Sequence, residues 1–284
     1  MGERMRKVAA SAAALVTATA TVVIGLGSGS SAATAPALPA YGIAGGGQLM
    51  LAFKTNNPEQ NDWVRRITGL TGDKIVVGID IRVQDGKLYA VGDAGGIYTI
   101  GIPTAVATKV SQLQVPLYGT KFGVDFNPAA DRLRVISDNG QNLRHNLADH
   151  STVEDVTLTT PPLNGPTKAV TAAAYTNNDL NGTTNTTLFG IATASDQVVI
   201  QSPANNGFLV ATGDLGFDAT LDAGFDIYSD LSNGKTVSAT AFASLTPYNG
   251  DPSFYSIDLL TGASNLVGVF PLDVTDVAVG LDTM

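Results

Sequence analysis

A short motif recurs along this chain at nearly even spacing, and that repeat limits the fold more than any other feature. Gly78-Ile79-Asp80-Ile81 returns as Gly123-Val124-Asp125-Phe126 and again as Gly224-Phe225-Asp226-Ile227. Ala172-Ala173-Ala174-Tyr175 reads as a degenerate copy and Asp276-Val277-Ala278-Val279 as a final one. Successive copies start 45, 49, 52 and 52 residues apart. Between them run short apolar alternations broken by Gly, Asn, Asp and Pro, with almost no helical periodicity, so the chain is a series of short strands. A period of this length suits four strands with their turns, which is one blade of a β-propeller.

The strands inside each unit can be placed. In the second blade, Lys87 to Val91 and Gly96 to Ile100 follow the Gly78 strand. In the fifth, Val237 to Phe242, Ser253 to Asp258 and Asn265 to Val269 follow the Gly224 strand. The last copy has no strands behind it. The region before Gly78 has three strands, near Tyr41, Leu49 and Trp63, and lacks a first. Joining the two ends completes one blade and removes both exposed sheet edges, which otherwise invite aggregation. The expected fold is therefore all-β, a propeller of five four-stranded blades closed by pairing the C-terminal strand with the N-terminal blade. A β-sandwich or solenoid accounts less simply for complementary ends.

Two stretches carry a resemblance to a known family. They are GVDFNPAADRLRVISDNGQNLRHN, from Gly123 to Asn146, and GIDIRVQDGKLYAVGDAGGIYTI, from Gly78 to Ile100. With AAYTN at Ala173 to Asn177 and GFDI at Gly224, they resemble the secreted bacterial family catalogued as domain of unknown function 4394. The resemblance spans roughly the region after the leader. It implies the fold and export, and supplies no catalytic residues.

The N-terminus reads as a secretory signal over residues 1–33. Arg4, Arg6 and Lys7 precede the apolar run Val8 to Leu26, and Ser30-Ser31-Ala32-Ala33 offers a small-residue cleavage site. The weakly apolar centre, Thr17 to Thr21, disfavours the alternative of a retained membrane anchor. Residues 34–39 form a Pro/Ala linker and residues 40–284 a single repeat domain. The expected product is secreted, extracellular and monomeric. It has no cysteine, so packing and hydrogen bonding must hold it without disulfides. The net charge of −9 disfavours nucleic acid and, after signal cleavage, anionic membrane surfaces as partners.

The third blade holds the densest polar pattern. Asp138-Asn139-Gly140 suits a three-residue hairpin loop with its Gly in the left-handed region. That register puts Arg134 opposite Arg144 and Arg132 opposite Asn146. Asp125 then faces Arg134, and Asn127 faces Arg132. As a ligand site, Asp125, Asn127, Arg132, Arg134, Arg144 and His145 would form a forked donor set for a carboxylate, sulfate or acidic sugar. As structure, the same row locks this blade to its neighbour, with Asp131 or another Asp balancing charge.

The repeated Asp80, Asp125 and Asp226 fall on the strand nearest the propeller axis. They offer a carboxylate ring for a metal, with calcium as the candidate cofactor, or else they bond backbone amides of a nearby turn. Asn177, Asp179 and Asn181 match the start of a calcium loop whose twelfth position is Leu188 rather than Glu. His145 and His150 read as surface or edge residues. Tyr118 and Tyr248 fall in loops, where they are candidates for stacking on sugars. With no recognisable catalytic set, the leading reading is an extracellular binding module for a small molecule, glycan or protein, with no cofactor required. The alternatives are a channel-sited hydrolase or lyase acting on a polysaccharide or small metabolite, and a structural cell-envelope protein.

Overall fold

The computed structural model describes residues 36–163 and 165–282; the expected leader lies outside the described residues. Five separate four-stranded antiparallel sheets are ranged in a ring, a five-bladed β-propeller. Blade two is β4 (Val76–Arg82), β5 (Lys87–Gly92), β6 (Gly96–Ile100) and β7 (Ala107–Gln112). Blade three is β8 (Phe122–Asn127), β9 (Arg132–Ser137), β10 (Asn142–His145) and β11 (Thr152–Glu154). Blade four is β12 (Val170–Tyr175), β13 (Leu188–Ala192), β14 (Gln197–Gln201) and β15 (Leu209–Asp214). Blade five is β16 (Ala219–Ser232), β17 (Lys235–Pro247), β18 (Ser253–Ile257) and β19 (Ser264–Val269).

Blade one is made from both ends of the chain. Its order is β20 (Asp276–Val279), β1 (Pro39–Ala44), β2 (Leu49–Lys54) and β3 (Asn57–Arg66). β20 pairs with β1 in the register Ala40↔Val279 to Ile43↔Asp276. Bonds from Gly280 N to Pro39 O (2.7 Å) and from Thr275 N to Ile43 O (2.8 Å) extend the closure at each end. The complementary ends of the sequence thus meet as expected.

Apolar burial divides by gap rather than by blade, because both faces of every sheet are covered. Phe53 of blade one meets Phe254 of blade five edge-on at 5.2 Å between ring centres. Ile43, Met50 and Ala278 pack with Ile79 and Ile81 between blades one and two. Similar clusters fill the other gaps, around Val91 and Phe126, Ile136 and Tyr175, and Ile191 and Phe225. Among the described residues no helix is long and apolar enough to cross a membrane.

The repeated Gly of the motif has a steric cause. A Cβ on Gly123 would lie 2.6 Å from Ala173 N, and one on Gly224 would lie 2.4 Å from Asp276 Cα. Only glycine lets neighbouring inner strands come this close at the axis.

Candidate functional site

The inner strands β4, β8, β12, β16 and β20 each have one edge without a strand partner, facing the central channel. Unpaired backbone N–H groups buried there need acceptors. Three carboxylates supply them, at the third position of the motif. Asp80 accepts from Ile81 N through Oδ1 (2.6 Å) and from Phe126 N of the next blade through Oδ2 (2.7 Å). Asp125 Oδ1 accepts from Tyr175 N (3.1 Å). Asp226 accepts from Ile227 N (2.6 Å) and Val279 N (2.5 Å). Ile81, Phe126, Tyr175, Ile227 and Val279 are the fourth-position residues of the five copies, so all five inward N–H groups are satisfied.

This accounting explains why three copies of the motif carry Asp and two carry Ala174 and Ala278. Asp80 and Asp226 each hold two N–H groups, their own strand's and the next one's, so the preceding strand needs no acceptor. Asp125 Oδ2 takes none of the five. The partners are inner strands, not the nearby turn that the sequence suggested. Nearer the mouth, Asp276 repeats the device by accepting from Ile79 N at 2.7 Å.

The three carboxylates are buried, and one oxygen of each lies within 4.8 Å of the others. Burial pushes Asp80 and Asp125 well above the usual carboxylate range, and the neighbouring Asp charges add to the rise. Burial raises Asp226 to about 6 against the backbone bonds that pull it down. Asp276 is raised well above its ordinary value by burial too. Such a layer holds protons or a cation; three bare charges at this spacing repel too strongly.

An expected result separates the two. In Asp125→Asn, the amide oxygen can keep the Tyr175 N–H while the NH2 stands where a proton would sit. If the layer holds protons, this variant gains at pH 8 at least the roughly 2–4 °C in Tm that 1 kcal/mol produces in a chain of this size. Asp226→Asn instead turns an NH2 towards an N–H and loses about 1–3 kcal/mol. Raised carboxylates stabilise below their ordinary pKa and lose that contribution as pH rises through the folded value. His145, lowered to about 4 by burial, acts oppositely as pH falls from 6.5 towards 4. Melting curves above about pH 6.5 therefore report on the carboxylates. If calcium fills the layer, calcium raises Tm and Asp125→Asn abolishes that gain.

At the N-terminal end of the inner strands all five blades line a pocket of about 140 Å3. Its polar groups include Lys121, just before β8, and Thr171, at an irregularity in the β12–β13 pairing. Thr171 is fully buried and its Oγ1 has no hydrogen-bond partner. Lys121 forms an ion pair with Asp222 of β16. That pair joins blades three and five, with blade four between them.

The arginine row of blade three lies at the gap to blade four. The register is Asp125↔Arg134 and Arg134↔Arg144, with Gly140 in the left-handed region at φ 87°. Arg134 is buried, and Nη1 donates to Asn142 Oδ1 and Asp155 Oδ2, both at 2.7 Å. Its Nη2 donates to Asn205 Oδ1 (2.8 Å) and its Nε to the Tyr175 hydroxyl (3.3 Å). Arg144 grips Asp155 through two 3.0 Å bonds.

A match to the family described as Domain of unknown function (DUF4394) runs over residues 49–278. The chain belongs to this family. No curated protein matches it. Among solved structures it is similar to glutaminyl cyclase from Myxococcus xanthus, at 14% identity and TM-score 0.45, over 74% of this chain and 83% of that one. It is also similar to a structural genomics protein of unknown function from Bacteroides thetaiotaomicron, at 14% identity and TM-score 0.48, over 87% of this chain and 65% of that one.

In this family member the six residues singled out as one donor set are dispersed. Asp125 turns into the channel and bonds Tyr175 N rather than Arg134. Arg132 donates to the carbonyls of Ala130 and Asp131, and Asn127 accepts from Ala130 N, so both stabilise a turn. The ladder ends at His145, before an Arg132–Asn146 pair can form. Asp155 balances the arginines, while Asp131 pairs with Arg82 of blade two.

His145 is fully buried, not a surface residue, with its ring between Ser111 Oγ and Thr152 Oγ1, both at 2.9 Å. His150 is exposed and bonds the same Ser111 hydroxyl at 2.8 Å. The carboxylate of Asp179, in the calcium-loop-like stretch, anchors Thr236 of the long β16–β17 hairpin and caps Asn181 N. Tyr118 and Tyr248 are exposed, as their loop positions suggested.

The sequence reading missed Asp276, Asp155, Thr171 and the Lys121–Asp222 pair. Asp276 was visible as an Asp in the Gly position of the last copy. The others gain meaning only when distant blades meet.

Proposed function

We propose that this protein is an exported, non-enzymatic binding module that takes a small polar ligand at the mouth of its central channel. The observation that carries this reading is the Thr171 hydroxyl, buried and unpartnered on a pocket to which every blade contributes. A buried hydroxyl without a partner costs roughly 1–3 kcal/mol, which a ligand or water bound there recovers. The pocket is far below the roughly 300–1,000 Å3 of drug-sized sites, so the ligand is small. The signal-like N-terminus supports export, and the acidic surface supports a partner other than nucleic acid.

A hydrolase or lyase built on the arginine row gains less support, because Asp155 and the neighbouring side chains already hold the donors of Arg134. A thermal-shift screen of sugars, organic acids, amino acids and divalent metals tests the proposal. The expected hit raises the Tm of the wild type, leaves Thr171→Val much less stabilised, and is recovered unchanged. Conversion of the bound compound, or equal stabilisation of both proteins by every hit, would overturn it.

A further inference from the structure

Resting on the mouth-site reading, we infer that the ligand is a zwitterion of the size of a small α-amino acid, held between Lys121 and Asp222. The two side chains are half-buried and bonded to each other; Lys121 lines the pocket, and Asp222 directly precedes Ala223, which also lines it. Each is the other's partner in the absence of ligand. A simple carboxylate entering the pocket would gain Lys121 but meet the Asp222 carboxylate; a simple amine would gain Asp222 but meet the Lys121 ammonium. A molecule carrying both charges replaces one ion pair with two and leaves no charge unmatched.

The pocket floor supports one orientation. The β8–β9 register is unbroken, and the Phe126 N–H faces the channel. Strand alternation puts the N–H of Phe122, four residues earlier, on the same free edge. Phe122 N–H, Thr171 Oγ1–H and Lys121 Nζ are then donors for the ligand carboxylate, Phe122 and Thr171 both lining the pocket. Asp222 takes the ligand ammonium. The volume of about 140 Å3 accommodates a short side chain and excludes a long one.

Isothermal titration of the intact protein with glycine, L-alanine, propionate and ethylamine tests this. L-Alanine is expected to bind, with propionate and ethylamine at least tenfold weaker. Lys121→Met and Asp222→Asn should each weaken L-alanine at least tenfold, and Thr171→Val severalfold. The exchanged pair Lys121→Asp with Asp222→Lys keeps the ion pair, and so the fold, but sets the charges against the Phe122 and Thr171 donors; it should lose binding while melting near the wild type. Propionate binding as tightly as L-alanine overturns the zwitterion and leaves the mouth site standing. So does failure of all four probes when another compound is stabilising through Thr171. Failure of all four with no Thr171-dependent hit overturns both. L-Alanine binding unaffected by any of these substitutions overturns the inference by placing the site elsewhere.

Discussion

Removing residues 276–284 is expected to abolish the folded monomer. The deleted segment contains β20, whose Val277 and Val279 lie in the core between blades five and one and whose Ala278 lies in the core between one and two. It also takes away the Asp276 acceptor for Ile79 N and the Val279 N–H donor to Asp226. Three buried apolar side chains, a row of ladder bonds and two channel braces are lost together. At roughly 1.5–3 kcal/mol for each buried valine and about 1 kcal/mol for each hydrogen bond, the loss is comparable with the roughly 5–15 kcal/mol by which domains are stable. The free edges of β1 and of the two flanking inner strands would then pair with other chains. Circular dichroism should show an unfolded or aggregated protein, and a peptide spanning residues 274–284 should restore a cooperative melt when added in trans. A truncated chain that melts near the full-length temperature would show that closure is dispensable.

The architecture was legible because the motif meets one steric and one hydrogen-bonding demand in three of the five blades. Gly123 and Gly224 permit close approach, and Asp80, Asp125 and Asp226 satisfy inward N–H groups, so both residue types recur at fixed spacing. The closing blade was legible from what each end lacked. The site was much less so. Alternation along β9 and β10 correctly paired Arg134 with Arg144, but could not say that Asp125 would bend into the channel and Asp155 would replace it. His145 has a polar side chain at a strand end, which reads as surface; Ser111, thirty-four residues earlier on another blade, covers it. Thr171 carries no local signal, since its significance is an unmet bond in a pocket assembled from five blades.

Asp155 should prove the most sensitive side chain of blade three. Among the described residues it is the only carboxylate bonded to Arg134, which retains about 2% of its exposure, and it also bonds Arg144 directly opposite. Asp155→Ala leaves a buried guanidinium beside a second one, with only the neutral Asn142, Asn205 and Tyr175 as acceptors. Stranding a buried charge in this way costs about 3–5 kcal/mol. Arg134→Ala is milder, since Asp155 keeps both bonds to Arg144, and the orphaned Asn142, Asn205 and Tyr175 groups should cost about 1–3 kcal/mol in all. Combining Arg134→Met with Asp155→Leu removes the charges together and should recover much of the loss. Urea denaturation of the wild type, Arg134→Met, Asp155→Leu and their combination closes a cycle and gives the coupling energy. A strongly favourable coupling identifies the row as a structural bolt rather than a ligand site. If instead Asp155→Ala and Arg134→Ala melt like the wild type and lose a small-anion ligand, the arginines are a binding fork and the bolt is refuted.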